Sequence, residues 1–347
     1  MKKSLLALAV LGAFAGVASA QSSVTLYGTV DLNAKYVKND GSARRYSLSQ
    51  DGINSSQLGF KGVEDLGGGL KAGFVLLSGV NADSGTTNAQ FFNRRATVSL
   101  MGGFGEVRLG RDYTPTFWND TIFDAFGTNG LGDSSHVLQL PTGTFVRANN
   151  SIGYFLPSNI GGIYGQFMAA ASEGGSGPSL YGTTVGANPG RYIGGRVGFA
   201  AGPFDIAAAY GQQRYQSGAA DQKTWNIGGS YDLGVVKLMG YFDRETVGSF
   251  RENRFSFSGV VPMGQGEIHA GYDRSKLTGG GLDNKVDQFK LGYVYNLSKR
   301  TALYTTVSRV SNGSASRLGV AGGSSITAAP TAGGKSQGAE FGVRHFF

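Results

Sequence analysis

Residues 24–36 alternate between apolar and polar side chains, one residue at a time. A side-chain period of two is that of a β-strand, here with one apolar face and one polar face. The first face carries Val24, Leu26, Gly28, Val30, Leu32, Ala34 and Tyr36, and the second carries Thr25, Tyr27, Thr29, Asp31, Asn33 and Lys35. A single strand of this kind would also suit a soluble β-sandwich, so the rest of the chain has to decide between the two.

The same alternation recurs to the end of the sequence. The segments are about as long as a tilted strand needs to be to cross a membrane, roughly 9–11 residues. Together with the first, we predict sixteen strands, the others lying near 56–64, 70–79, 94–101, 105–112, 148–156, 163–170, 191–200, 204–213, 223–232, 235–245, 254–261, 267–275, 287–296, 301–310 and 337–347.

Two kinds of connection alternate between these strands. Seven are short and turn-like, such as Leu66 to Gly69 and Ala201 to Pro203. The others are longer and polar, near 37–53, 80–92, 113–147, 171–190, 214–222, 246–253, 276–286 and 311–336. Short turns on one rim and long loops on the other are typical of a transmembrane β-barrel and have no reason to occur in a sandwich.

The first twenty residues form a separate segment. Lys2 and Lys3 precede an apolar stretch from Leu5 to Val17, and Ala18-Ser19-Ala20 follows. This pattern predicts a secretory signal peptide over 1–20 and a barrel over 21–347, because the apolar stretch is too short for a membrane helix. Its removal takes away two lysines and lowers the formal net charge from +8 to +6.

Composition narrows the class of protein. The chain has no cysteine, so disulfides do not stabilise it, whereas a barrel that closes on itself supplies stability through strand pairing. The chain contains 58 glycines, 16 tyrosines and 22 phenylalanines, but only 40% of its residues are hydrophobic. This composition suits a barrel in which only alternate residues face lipid. For an exported basic chain, acidic lipopolysaccharide and anionic solutes are the expected partners, and nucleic acid is not.

The final segment is predicted to be the strand that closes the barrel by pairing with the first. An unpaired strand edge in lipid would leave backbone N–H and C=O groups without hydrogen bonds, which is energetically costly. Ala339, Phe341, Val343, His345 and Phe347 alternate outward, with Glu340, Gly342, Arg344 and Phe346 inward.

Several stretches resemble the general porins of β-proteobacteria, and the similarity runs over 21–347. They are Ser23 to Gly28, Leu58 to Ala72, Gly102 to Arg111 and Gly342 to Phe347. The resemblance implies a sixteen-stranded barrel, a homotrimer and a third loop folded into the pore. It also implies that Phe347 is read by the barrel-assembly machinery.

A diffusion pore needs a constriction and an electric field across it, but no cofactor. The longest connection, 113–147, is the expected constriction loop, because long loops without structure of their own are usually functional. It carries Asp120, Asp124 and Asp133 together with Phe117, Trp118, Phe123 and Phe126. The segment from Pro115 to Asp120 resembles the porin loop, although the family often has glutamate where Thr116 stands.

A basic wall is expected opposite this acidic loop. Ala96, Val98 and Leu100 are predicted to face lipid, so Arg95, which alternates with them, should face the lumen. Alternation likewise predicts that Lys61 and Arg108 point inward. A charged side chain on the lipid face would be energetically costly. Arg111 and Arg147 flank the loop and are added as pore-lining candidates. Relatives commonly have arginine where this chain has Gln57 and Gly153, which weakens the expected anion preference.

Four other functions remain as alternatives. A barrel enzyme would need a base, and His269 lies near Glu267 and Asp273, but no serine motif accompanies it. His136, His269 and His345 are too far apart in sequence for a metal motif. A structural or adhesive barrel would have a plugged lumen. A sugar-specific or organic-anion channel would need aromatics along the lumen, whereas Phe255, Phe257, Phe289, Tyr293 and Tyr295 alternate outward.

Overall fold

The computed structural model describes residues 23–140, 146–171, 179–180, 183–184, 191–214, 221–320 and 329–347. Within these residues the chain forms a closed barrel of sixteen antiparallel strands. The strands are β1 (Ser23–Asn39), β2 (Arg45–Gln50 and Gln57–Gly67), β3 (Leu70–Asn81), β4 (Arg95–Gly102), β5 (Gly105–Tyr113), β6 (Arg147–Phe155), β7 (Ile163–Ala170), β8 (Arg191–Ala201), β9 (Phe204–Arg214), β10 (Gln222–Asp232), β11 (Lys237–Val247), β12 (Phe250–Met263), β13 (Gly266–Gly279), β14 (Leu282–Asn296), β15 (Thr301–Asn312) and β16 (Lys335–Phe346).

Each strand pairs with its neighbours in sequence, and β16 returns to pair with β1. The closing register runs from Thr29 opposite Phe346 to Asn39 opposite Ser336. Both edges of the sheet are thereby removed, as a strand structure in lipid requires. The predicted number of strands and the predicted closure are confirmed.

The alternation predicted for the strands matches their burial. Val30, Val98 and Phe341 are exposed on the outer wall, whereas Thr29, Thr97 and Glu340 are buried on the inner side. Within the described residues, no helix is long and apolar enough to cross a membrane.

Three of the predicted long connections are shorter than expected. The segment 37–53 is largely a continuation of β1 and β2, because Tyr46 pairs with Tyr36 and Leu48 pairs with Ala34 on the outer wall. The expected loops 246–253 and 276–286 reduce to tight hairpins at Val247–Phe250 and Gly279–Leu282. Their polar side chains belong to strands that extend beyond the apolar band of the barrel, so polarity alone made them resemble loops.

The predicted signal segment 1–20 lies outside the described residues, as do parts of the connections 113–147, 171–190, 214–222 and 311–336.

Candidate pore constriction

The connection between β5 and β6 folds into the barrel. Helix α1 (Pro115–Ile122) starts at a proline, whose fixed backbone angle suits the first helical position. The 3₁₀ turns Gly130–Gly132 and Ser134–Val137 follow. The helix packs against the inner faces of β7 to β10.

Polar contacts hold α1 to the wall. The Asn119 side chain donates to the Ala207 carbonyl at 3.1 Å and to the Asn226 side chain at 2.8 Å. Its own oxygen accepts from Arg196 Nε at 2.6 Å. Asn119 is completely buried, so these bonds satisfy an amide that would otherwise be costly to bury. The loop is therefore fixed to one side of the barrel.

Two loop carboxylates form buried ion pairs with the same side of the barrel. Asp120 accepts from Arg254 on β12 at 2.7 Å, and Asp124 accepts from Lys290 on β14 at 2.7 Å. Lys290 also lies 2.9 Å from Asp273 on β13. Because each is ion-paired with a cation of the wall, these acids act as anchors of the loop.

The end of the loop is held farther round the barrel. The backbone N–H groups of Gln139 and Leu140 donate to the Glu252 carboxylate at 2.9 and 2.8 Å, and that of Leu131 donates to Glu340 at 3.2 Å. Leu131 and Val137 pack in an apolar cluster whose other members are Val37, Val286, Val310 and Val320, with Leu318 at its edge.

His136 is buried in this part of the loop. Burial lowers the pKa of its imidazole, and the charges of Lys35 and Lys290 act in the same direction, although Asp133 opposes them. The docked loop therefore favours the neutral imidazole.

The opposite wall carries two arginines around one tyrosine. Arg94 and Arg147 both donate to the Tyr113 hydroxyl, at 3.1 and 3.0 Å. The Arg147 guanidinium also lies 4.5 Å from the centre of the Tyr113 ring, whose other contacts are the rings of Phe117 and Trp118. No carboxylate of the described residues lies within ion-pair distance of either arginine. Neither arginine therefore takes part in a direct ion pair with a described residue.

A cavity of about 620 Å³ separates the loop from this wall. Its lining includes Arg94, Arg147 and Tyr113 on the wall, and Trp118 and Asp133 on the loop. Asp133 caps the backbone of Ser135 at 2.7 Å and is half-buried, so its carboxylate borders the cavity. The charged residues that line the cavity are thus Arg94, Arg147 and Asp133, together with the ion-paired Asp120 and Arg254.

Comparison with known proteins agrees with this architecture. A family model described as Gram-negative porin matches residues 7–315. The chain belongs to the Gram-negative porin family. Outer membrane porin protein 32 of Delftia acidovorans is 41% identical, with all of both chains covered. An outer membrane porin of Bordetella pertussis is 31% identical over 90% of this chain and 95% of its own.

A solved structure shares the whole barrel with this porin. The anion-selective porin from Comamonas acidovorans superposes with a TM-score of 0.82 at 39% identity, covering 94% of this chain and 100% of its own. The porin is thus an outer-membrane protein, and the predicted fold with its inward third loop is confirmed.

Four of the basic residues predicted from this porin's sequence point inward, although not all of them lie at the cavity. Arg147 borders the cavity. Arg95 and Arg108 form a cluster with Asp112, at 3.6 and 2.6 Å, and Arg108 also pairs with Glu106 at 2.9 Å. This cluster is neutral overall.

Lys61 is exposed on the inner wall of the porin. It pairs with Thr25 and Val75, and its ammonium lies 5.2 Å from the centre of the Tyr27 ring. Of the two positions at which the family resemblance implied an arginine, Gln57 borders the cavity and Gly153 pairs with the inward-pointing Arg108.

Arg111 differs from the expected position. It pairs with Ala96, on the face that alternates away from Arg108 and Asp112. Its guanidinium donates to the Asn93 carbonyl at 2.7 Å and to the Asn149 side chain. Arg111 lies in a bulge of β5, where the pairing with β6 shifts register between Gly110 and Asp112. Its pairing with Ala96 and its contacts with Asn93 and Asn149 do not support the expected lumen-lining role, which stays a prediction.

Asp120 and Asp124 lie on the inward loop, and Asp120 lines the cavity. Their expected role as the negative side of a transverse field stays a prediction. In the porin each is paired with a buried cation, and Asp133 has the more exposed carboxylate. The partners Arg254 and Lys290 were missed, since nothing in their strands indicates which residues lie beneath a folded loop.

Arg94 and Tyr113 were missed for a different reason. Both lie at strand ends, Arg94 just before β4 and Tyr113 at the last position of β5. Alternation extended to these positions would turn both toward lipid. Arg94 lies outside its strand, however, and Tyr113 follows the bulge between Gly110 and Asp112 in β5.

The histidine of the possible triad also has a structural role. His269 lies 3.1 Å from Glu267 and bonds the Ala125 carbonyl of the loop at 2.7 Å, whereas Asp273 pairs with Lys290. In the described part of the porin, no group of three acidic or histidine side chains is placed to hold a metal ion.

Proposed function

We propose that this porin conducts small hydrophilic solutes and ions passively through a water-filled pore, with a modest preference for anions, and catalyses no reaction. The observation that carries the proposal is the imbalance at the cavity. Three cations line it, Arg94, Arg147 and Arg254, against the two acids Asp120 and Asp133. Asp120 is ion-paired with Arg254, whereas Arg94 and Arg147 form no ion pair with a described carboxylate. Charged rings at the narrowest point set pore selectivity. The similar structure from Comamonas acidovorans is that of an anion-selective porin, which supports the same sign of selectivity.

A planar-bilayer recording under a salt gradient tests the proposal. The reversal potential is expected to lie on the anion side, and Arg94→Gln with Arg147→Gln should reduce it. Absence of conductance from folded protein, or a cation-selective wild type, would contradict the proposal.

Tyr113, Phe117 and Trp118 favour a second candidate, a channel selective for organic anions. Their rings lie beside Arg147, so an aromatic carboxylate could stack and pair in one place. Block of chloride current by benzoate at millimolar concentration, but not by acetate, would favour this candidate over general diffusion.

The remaining expectations belong to assembly. We propose that residues 1–20 direct export and 21–347 form the barrel, that three copies associate, and that the barrel-assembly machinery reads Phe347. We also propose contact with lipopolysaccharide in the outer leaflet. Conductance in steps of three, from protein of trimer size, would support association.

A further inference from the structure

We infer that the outer wall of β11 to β15 binds the phosphate groups of a phosphorylated lipid, at the rim where the longer connections lie. This assigns a site to the lipopolysaccharide contact proposed above and rests on that proposal.

One row of paired residues on this outer wall is basic. Arg244 on β11 pairs with Asn253, which pairs with Lys276, which in turn pairs with Lys285 on β14. Arg251 lies one step nearer the rim on β12 and is exposed. Residues paired across antiparallel strands point to the same side, so these cations form one surface.

A second row, farther from the rim, is aromatic and ends in a cation. Phe257 pairs with Tyr272, Tyr272 with Phe289, and Phe289 with Arg309 on β15. Phe257 and Phe289 are 50% and 61% exposed, which marks them as lipid contacts. Aromatic rings at this level are typical of the interface between hydrocarbon and headgroups.

Cations outnumber acids on this surface. The acids on it, Asp283 and Asp287, already pair with Lys276 and Arg274, at 3.2 and 2.6 Å. No carboxylate of the described residues pairs with Arg251, Lys285 or Arg309. A cation near the lipid is tolerated at the rim, where its cost is small, and is attracted there by anionic headgroups.

An apolar groove begins beside Arg309. It has a volume of about 580 Å³ and runs over the outer wall between β13 and β16, against Tyr36 of β1. Phe289, Leu291 and Val307 line it, with Arg309 and Gln337 at its side. An apolar slot next to an unpaired guanidinium fits an acyl chain joined to a phosphorylated headgroup, and charge complementarity with the basic row favours this occupant.

The test compares two triple variants with the same change in charge. The rim variant carries Arg251→Gln, Lys285→Gln and Arg309→Gln. The control carries Lys71→Gln, Lys237→Gln and Lys299→Gln, which remove three cations at the opposite ends of the strands, beside the short turns. Folded protein in detergent is titrated with purified lipopolysaccharide, and the dissociation constant is measured for each.

We expect each removed rim charge to weaken binding about fivefold, and the rim variant to bind about a hundredfold more weakly than wild type. The control should bind like wild type, and lipopolysaccharide stripped of its phosphates should bind wild type and rim variant equally. Equal binding of lipopolysaccharide by rim variant and wild type, or equal loss in the control, would overturn the site. So would displacement of the lipid by millimolar inorganic phosphate, which would indicate a site for the free anion.

Channel function is recorded on the same preparations in lipid free of lipopolysaccharide. Full conductance of the rim variant together with lost lipid binding separates this site from the pore. A wild type that binds the lipid but does not conduct would contradict the proposed function and leave the site standing.

Discussion

Lys290 Nζ lies 2.7 Å from the carboxylate of Asp124 and 2.9 Å from that of Asp273, and all three side chains are completely buried. One lysine thus joins the constriction loop to β13 and β14. This buried ion pair therefore holds the loop against the barrel wall.

Loss of this lysine should release the loop. Lys290→Met leaves two buried carboxylates without their cation, and breaking a buried pair in this way costs about 3–5 kcal/mol. Asp124→Asn should cost less, because Lys290 keeps Asp273 as a partner. We expect Lys290→Met to show larger open-channel current fluctuations than wild type and to unfold at a lower urea concentration. Lys276→Met, which breaks an exposed pair with Asp283, is the control and should change neither.

Selectivity should depend on Arg94 and Arg147 more than on Arg95. Arg94→Gln or Arg147→Gln removes a charge at the cavity that forms no direct ion pair with a described carboxylate, and should shift the anion-to-cation permeability ratio about threefold toward cations. Arg95→Gln should shift it less, since Asp112 and Glu106 lie in the same cluster. The reversal potential is read at about 0.1 M salt, where the screening length is about 10 Å, and again at about 1 M, where the shift should shrink.

Among the acids of the loop, Asp133 should affect selectivity more than the ion-paired Asp120 and Asp124. Asp133→Asn should raise anion preference, because its carboxylate borders the cavity and forms no ion pair with a described residue. Arg111→Gln serves as a negative control, since that residue pairs with Ala96 and its guanidinium is held by Asn93 and Asn149. A change in reversal potential with Arg111→Gln would show that the placement of β5 is wrong.

Acidification should loosen the loop through His136. Burial lowers the pKa of its imidazole in the docked loop, while a released loop would have the ordinary value of about 6.5. The released state therefore binds more protons below that value, so docking is fully stable above about pH 6.5 and weakens as pH falls toward the lower pKa. Open-channel noise in wild type should rise between about pH 6.5 and 5. His136→Gln should remove that rise, and an unchanged pH profile in this variant would exclude His136 as the cause.

Closure of the barrel should depend on the contact between Gly28 and Phe347. Their backbones exchange two hydrogen bonds of 3.1 Å, and a Cβ on Gly28 would lie 2.3 Å from the Phe347 ring. We expect deletion of Phe347, or Gly28→Val, to reduce the amount of folded barrel measured by heat-modifiable mobility in electrophoresis. Val30→Ala, on the same outward face, should fold normally. Normal outer-membrane levels of the Phe347 deletion would refute its role in assembly.

The sequence by itself determined the strands, their inner and outer faces and the closure of the sheet. A period of two is a local property, and it assigns Val30 and Phe341 to lipid and Thr29 and Glu340 to the interior without knowledge of any contact. The resemblance of the segment around Pro115 to Asp120 also indicated the inward loop.

Tertiary structure alone decided which charges act in the pore. Asp120 and Asp124 form ion pairs with Arg254 and Lys290, more than 130 residues away, and only the folded loop brings these pairs together. Arg94 and Tyr113 lie at strand ends, where alternation no longer fixes direction, so the approach of the loop places them at the cavity. An electric field depends on distances between charges, and those distances are set when the loop packs against the wall.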